Sequence, residues 1–283
     1  AVHPALLVVQ VVAQALAAAV QLADGLAQPL AFAVIDVALA QAALVLVDLI
    51  VHAVHGRSDA RDLVGGRVPL AEVGVDGGWA HALVALAGAA NTLKFDGDRI
   101  HADNTDGTGL VNDLQRNLGC PLAGKRVLLL GAGGAARAVV ASLVDAEVPE
   151  LRLVNRTRET AIDLGVALTP SDGRKIVIGS WDERADLLDG ATLLVNTTSL
   201  GMKGQPPLDI DLAKLPRSAI VYDIVYVPLE TALLAEARGR GNRCVDGLGM
   251  LLHQGRPGFE AWFGVKVEVS AEQRHVTAAD LGA

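Results

Sequence analysis

The sequence predicts an α/β fold built on a doubly wound parallel sheet, and three observations carry that expectation. Four apolar residues, 127–130, run straight into Gly131-Ala132-Gly133-Gly134-Ala135-Ala136 and then into a helical pattern over 138–145. Strand-like apolar runs recur at 151–154, 175–179, 191–196 and 219–222, with helical patterns among them around 182–188 and over 229–239. Alternation of this kind favours parallel strands with crossover helices.

The strand, glycine turn and helix start at 127–137 organise the rest of the chain. A helix N-terminus presents unpaired N–H groups and the positive end of a dipole, which suits a pyrophosphate. Glycine lets the backbone turn sharply and approach a phosphate with no side chain in the way. The context matters more than the glycines: a strand before and a helix after are what a dinucleotide loop requires.

The second strand, 151–154, ends in Asn155-Arg156-Thr157-Arg158. NAD-binding units usually close this strand with an acid that holds the ribose 2′-hydroxyl. Here two arginines stand instead, and a guanidinium matches a 2′-phosphate through paired, charge-assisted hydrogen bonds. NADP is therefore expected over NAD.

Upstream, 88–95 reads as a strand entered from a tight turn, and Asp96-Gly97-Asp98-Arg99 as a hairpin turn with a short return over 100–102. Asp106-Gly107 opens an amphipathic helix over 110–118, and Asp106 is either its cap or a group facing a cleft. Downstream, Asn196-Thr197-Thr198-Ser199-Leu200-Gly201-Met202 and Tyr222-Asp223-Ile224-Val225-Tyr226-Val227-Pro228 follow strands, where open α/β sheets bind ligands. A last strand is read at 243–245, then Asp246-Gly247-Leu248-Gly249-Met250 enters a helical run containing Gln254.

At 283 residues the chain has room for one large or two ordinary domains. A net charge of −8 argues against a nucleic-acid or anionic-membrane surface. Two cysteines, Cys120 and Cys244, make no disulfide framework, so a reducing, cytoplasmic setting is expected. Residues 1–86 have a composition of their own: no Lys, Thr, Asn, Tyr, Met or Cys, and Ser58 as the single serine. Residues 5–23 carry no charge, but Gln10, Gln14 and Gln21 recur at helical spacing and no basic residue precedes them. A buried amphipathic helix is expected there rather than a membrane span. His3, His52, His55 and His81 lack a regular ligand spacing beyond His52-x-x-His55, so no metal site is expected.

Seven ordered segments together resemble the shikimate dehydrogenase family: 88–92, Asn104-Thr105-Asp106-Gly107, 131–137, Asn155-Arg156-Thr157, 196–202, 222–228 and 247–254. The resemblance runs from about Gly88 to the C-terminus. It implies an N-terminal α/β substrate domain (1–105), a Rossmann-type NADP-binding domain (106–245) and C-terminal helices returning to the first domain (246–283). It also implies NADPH-dependent reduction of 3-dehydroshikimate to shikimate, a step toward the aromatic amino acids, by a monomer or homodimer. Asn91, Asp106 and Gln254 would hydrogen-bond the substrate, with Asp106 catalytic and Tyr226 lining the site. Gly131, Ala132, Gly133, Gly134 and Ala135 would hold the pyrophosphate, and Asn155, Arg156 and Thr157 the adenosine 2′-phosphate. Thr198, Ile224, Gly247 and Met250 would surround the nicotinamide half. Family alternatives are an enzyme acting on quinate or another ring hydroxy acid, and a non-catalytic NADP-binding homologue.

The chain departs from the family before Gly88. The Asn-Val-Thr-x-Pro-x-Lys motif, whose lysine pairs with the aspartate at Asp106, is absent, since Lys94 is the first lysine. The Ser-x-Ser segment that holds the substrate carboxylate is absent too. A stretch of the family's length without its motifs suggests a shifted or opposite reading frame, which peptide mass mapping of the natural protein tests. Loss of a general acid costs about 10²–10⁴-fold in rate, so cofactor binding should survive better than turnover. Gly255-Arg256-Pro257-Gly258 is a smaller departure, and is expected to interrupt the last helical run, an interior proline costing about 3 kcal/mol.

Overall fold

The structure is a computed structural model that describes residues 90–96, 99–170 and 172–281, all within one unit of the chain, Leu70–Ala283. The expectations for the apolar run at 5–23, for the four histidines and for the segment before residue 90 lie outside the described residues.

A two-stranded antiparallel hairpin comes first, β1 (Thr92–Asp96) with β2 (Arg99–Asp103), in register from Thr92 opposite Asp103. Helix α1 (Asp106–Asn112) follows and ends in one π-helical turn, Asp113–Asn117. Then come β3 (Arg126–Leu130), α2 (Gly134–Asp145), β4 (Glu150–Val154), α3 (Arg158–Leu168) and β5 (Lys175–Gly179). β6 (Leu193–Asn196), β7 (Ile220–Asp223), α4 (Ala232–Gly239) and β8 (Arg243–Val245) complete the sheet, and α5 (Leu248–Phe263) and α6 (Ala271–Asp280) close the described chain.

The sheet order is β5-β4-β3-β6-β7-β8, with every neighbouring pair parallel. The chain winds outward from β3 through β4 to β5, then returns to β6 on the other side of β3. The doubly wound fold is therefore present, and its topological switch point lies between the carboxyl ends of β3 and β6. Both faces of the sheet are covered, which is why β3 and β6 read as unbroken apolar runs. Val127 and Leu129 enter one core with Val139, Val140 and Leu143 of α2, while Leu128 and Leu130 enter the other with Leu233 and Leu234 of α4. Successive residues of a strand point to opposite faces, so one short strand anchors two cores.

Several expectations need correction. The helix read over 229–239 starts at Ala232, with Thr231 as its cap, and the one read over 110–118 starts at Asp106 and turns π-helical from Asp113. Helix α2 begins at Gly134, not Ala138: Gly134, Ala135, Ala136 and Arg137 form its first turn, with Gly133 at the cap position. The helix around 182–188 is two 3₁₀ turns, Asp182–Arg184 and Asp186–Leu188, since three-residue pieces cannot offset the cost of nucleating an α-helix. Asp106 is the first residue of α1 rather than its cap: Thr105 holds the cap position and no side chain caps the helix. Helix α5 runs unbroken through Pro257. Tertiary packing outweighs propensity there: Gly258 is buried with Thr92 of β1 beside it, and Arg256 pairs with Glu268 at 3.0 Å.

Helix α1 is a wedge between α2 and α5. A Cβ on Gly107 would collide with the Ala138 carbonyl and Ser142 of α2, and one on Gly109 would sit 2.8 Å from the Met250 carbonyl oxygen of α5. The two glycines thus let three helices meet through backbone, and that meeting places the N-terminus of α1.

Candidate functional site

At the start of α1, the Asn91 side chain gathers the turn around itself. Its Nδ2 donates to Asp106 Oδ1 at 2.6 Å and to Thr105 Oγ1 at 3.0 Å, and its Oδ1 accepts from the Thr105 N–H at 3.0 Å. Thr92 Oγ1 also donates to Asn91 Oδ1, at 3.1 Å. Asn104 Oδ1 accepts the Asp106 N–H at 3.2 Å, and the Asn91 N–H donates to the Asp103 carbonyl at 3.0 Å. Burial raises the Asp106 carboxyl above its usual range, and the bond from Asn91 opposes that rise. Gln254 belongs to the same neighbourhood: its Cβ would lie 2.9 Å from a Cβ on Gly109, one turn along α1 from Asp106. Three of the four expected substrate residues therefore surround α1. Tyr226 lies on the loop after β7, half-buried, with burial raising its phenol above the ordinary range; no hydrogen bond joins it to the other three.

The glycine loop stands at the switch point. Gly131 adopts φ +110°, a conformation that favours glycine, and a Cβ there would meet Thr197 Oγ1 at 2.6 Å. Its N–H donates to the Val154 carbonyl at 2.8 Å, which holds the loop beside the end of β4. Ala132 is buried, Gly133 and Gly134 are exposed with open space where a Cβ would be, and Ala135 is half-buried in the first turn of α2. Gly133 caps α2 without a side-chain bond, so the first-turn N–H groups are left for another acceptor. At the end of β4, Asn155 Nδ2 donates to the Thr157 carbonyl at 2.9 Å. Arg156 and Arg158 are exposed, and neither makes an ion pair with another described residue. This set suits a dinucleotide: open backbone donors for a pyrophosphate, then exposed guanidinium groups at the end of the neighbouring strand.

The remaining expected residues sit at the ends of β6, β7 and β8. Thr198 donates from Oγ1 to Asn196 Oδ1 at 2.7 Å. Gly247 is buried and donates its N–H to the Val225 carbonyl at 3.0 Å, and a Cβ there would collide with the Ile224 carbonyl. Met250 is buried in the first turn of α5, and Ile224 packs against the same core. The geometry thus joins Ile224, Gly247 and Met250 around the start of α5 and places Thr198 on the neighbouring loop.

Three groups in this region are not among the site residues expected from the sequence: Asn196, Asp223 and Thr231. Asp223 Oδ1 accepts from Asn196 Nδ2 at 2.9 Å and Oδ2 accepts from Thr231 Oγ1 at 2.8 Å. Burial lifts the Asp223 carboxyl to about 6, with the hydrogen bonds from Thr231, Val225 and Asn196 pulling the other way. The available signal is an acid closing an apolar strand, Ile-Val-Tyr-Asp, at the ligand-facing end of a parallel sheet. Among the described residues no group of three metal-ligating side chains occurs, and no helix is long and apolar enough to cross a membrane.

Sheet order, switch-point glycine loop and open helix N-terminus define a Rossmann-type dinucleotide fold. Comparison with known proteins makes the assignment specific. The family described as Shikimate / quinate 5-dehydrogenase matches residues 113–199, and the Shikimate 5′-dehydrogenase C-terminal domain matches 247–271. The chain is 56% identical over 197 residues to shikimate dehydrogenase (NADP(+)) of Rhodospirillum rubrum, covering 69% of each chain. It is 50% identical over 200 residues to the protein of the same name from Afipia carboxidovorans, covering 71% of each. Among solved structures it is similar to the Thermus thermophilus shikimate 5-dehydrogenase in complex with NADP(H) and shikimate: TM-score 0.60, 31% identity, 70% of each chain covered. Quinate dehydrogenase from Corynebacterium glutamicum in complex with NAD gives TM-score 0.63 at 29% identity, over 69% of this chain and 70% of that one. The chain belongs to the shikimate dehydrogenase family.

Proposed function

We propose that this chain binds NADP(H) and carries the substrate half-site of a 3-dehydroshikimate reductase, with turnover limited by the missing lysine. The observation that carries the reading is the 2.6 Å bond from Asn91 to Asp106 at the start of a helix that also packs on Gln254 and on the cofactor helix α2. One small helix thereby couples a carboxylate and two amides, all apt for ring hydroxyl groups, to the dinucleotide loop.

Gly131–Ala135 and the first turn of α2 would hold the pyrophosphate, and Arg156 with Asn155 and Thr157 the adenosine 2′-phosphate. Thr198, Ile224, Gly247 and Met250 would border the nicotinamide half. The bound cofactor supplies the hydride that a ketone reduction needs. The protein must orient the ring and deliver a proton to the oxygen that becomes negative. Asn91 and Gln254 offer amide donors and acceptors to substrate hydroxyls, and Asn91 fixes the Asp106 carboxyl. Asp106, raised by burial, is the ionisable group at this end of α1 and holds or accepts a proton there. In the family a lysine shares that work, and residues 1–86 contain no lysine.

Titration with NADPH and NADH, followed by assays of 3-dehydroshikimate reduction and quinate oxidation, tests the reading. Saturable NADPH binding, weaker NADH binding and slow reduction of 3-dehydroshikimate are expected. Preference for NADH, or faster turnover of quinate than of shikimate, would overturn it. The absent lysine specifically favours a second reading, an NADP-binding homologue with no turnover; it wins if NADPH binds and no ring hydroxy acid reacts.

A further inference from the structure

Asn196 and Asp223 are register partners at the carboxyl ends of β6 and β7, and both are fully buried. Each side chain reaches forward into the loop that follows its strand. Asp223 Oδ1 accepts the Val225 N–H at 3.1 Å and Asn196 Nδ2 at 2.9 Å, while Oδ2 accepts Thr231 Oγ1 at 2.8 Å. Asn196 Oδ1 accepts the Thr198 N–H at 3.0 Å and Thr198 Oγ1 at 2.7 Å, and Asn196 Nδ2 reaches the Leu200 carbonyl at 3.2 Å. Thr231, also buried, accepts the Leu234 N–H at 3.3 Å and so pins the start of α4 to the same carboxylate.

Such a network is more than packing requires. A buried carboxylate is costly unless every donor around it is aligned, and two apolar strand ends would fill the same space more safely. What the polar groups add is definition: backbone bonds hold Thr197 to Leu130 and Ile224 to Asn196, and the side-chain network carries the order beyond them along the two loops, to Thr198, Leu200 and Val225. Those loops carry Thr198 and Ile224. On the other side of the switch point, Gly131 is tied to β4 by its own backbone bond. Thr197 adjoins both sides, but its N–H and Oγ1 donate to the Leu130 carbonyl at 2.8 and 2.7 Å and not to the Asn196–Asp223 pair. The adenosine half would thus be held through the ends of β3 and β4, and the nicotinamide half through those of β6 and β7.

We propose that Asn196, Asp223 and Thr231 act together as a positioning unit that sets loops 197–201 and 224–228 to receive the nicotinamide half of the cofactor and leaves the adenosine half untouched. The inference rests on the NADP reading above. None of the three is a catalytic residue; each acts through the loop it holds.

The test compares two probes on the full chain, NADPH and adenosine 2′,5′-bisphosphate, the latter lacking the nicotinamide half. The variants are Asp223→Asn, Thr231→Val and the conservative Thr231→Ser. Thr231→Val keeps the side-chain shape, so it carries the test if Asp223→Asn does not fold, with circular dichroism reporting folding. Thr231→Val and Asp223→Asn are expected to weaken NADPH about tenfold or more, as the receiving loop geometry falls to about a tenth of the population or less, with the bisphosphate unchanged. Thr231→Ser, which retains the hydroxyl, is expected to bind NADPH as the parent does. Equal weakening of both probes would make the unit merely structural and overturn the inference, as would unchanged NADPH binding in folded variants. A parent chain that binds the bisphosphate but not NADPH also overturns it; binding neither overturns the NADP reading itself.

Discussion

Tyr222 donates its phenolic hydroxyl to Asp113 Oδ2 at 2.6 Å, in a contact from which water is excluded. The bond joins the interior of β7 to the turn that follows α1, so it connects the sheet with the helix that carries Asp106. Asn117 Nδ2 supplies a second donor to the Asp113 carboxylate at 2.7 Å. Burial, and then the charge of Asp113, hold the Tyr222 phenol well above its usual pKa, so it serves as a donor throughout the working pH range.

Tyr222→Phe keeps the ring and deletes that donor. The buried carboxylate of Asp113 would then lack one partner, and leaving such a group unsatisfied costs about 1–3 kcal/mol. Thermal melting should show a fall of several degrees in the variant, with secondary structure intact by circular dichroism. An unchanged melting temperature would mean that the bond contributes no net stability.

The fold is legible where sequence signals are local. The glycine loop between an apolar run and a helical pattern locates β3, and the run at 243–245 matches β8 (Arg243–Val245) residue for residue. Helix α3 is harder to see, because Arg156 and Arg158 at its start read first as charge. Its buried Ala161, Leu164, Gly165 and Leu168 recur at helical spacing all the same. The site is legible as individual residues but not as a system. Nothing local says that Asp223 would meet Asn196 and Thr231, because that meeting depends on β6 and β7 being neighbours. Asp106 shows the same limit from the other side: spacing allows a helix cap, and only the return of Asn91 across the hairpin engages the carboxylate instead.

Arg156→Gln separates cofactor charge from cofactor shape. The guanidinium is exposed beside the glycine loop, where a 2′-phosphate would pair with it bidentately. A charge-assisted hydrogen bond contributes about 1.5–3 kcal/mol, so NADPH affinity should fall about tenfold to a hundredfold. NADH affinity should stay level, since that cofactor lacks the phosphate. Fluorescence titration of both cofactors measures the ratio; parallel losses would place the 2′-phosphate elsewhere.

The raised carboxyl of Asp223 fixes the sign of a pH effect on stability. Its value is about 6 in the folded chain against an ordinary 3.8, so between these pH values the folded state holds more proton than the unfolded one. Stability contributed by this group therefore falls as pH rises through that window. The cost is absent below the lower value and complete above the upper one. At about 1.4 kcal/mol per pH unit it amounts to on the order of 3 kcal/mol. Asp223→Asn removes the titration. The variant should consequently be less destabilised, relative to the parent, at pH 7.5 than at pH 4.5. Urea midpoints at the two pH values check this, and a difference that is constant or of opposite sign would contradict it.

Binding and turnover should part company in this chain. The groups assigned to the cofactor, from Gly131 to Met250, are all present, and Asn91, Asp106 and Gln254 remain for the substrate. Before Gly88 there is neither the lysine that shares proton transfer with the aspartate in the family nor the serine pair that holds a carboxylate. Loss of a general acid corresponds to about 10²–10⁴-fold in rate, and a weakened hold on the carboxylate raises KM as well. Compared side by side with the Rhodospirillum rubrum relative, this chain should match it in NADPH affinity within a few-fold. Its kcat for 3-dehydroshikimate reduction should fall short by two to four orders of magnitude. Asp106→Asn in this chain should then remove most of the residual rate while leaving NADPH affinity unchanged, because the carboxyl bonds to Asn91 and to nothing in the glycine loop. A kcat equal to that of the relative would show that another group supplies the proton and that the missing lysine is not limiting.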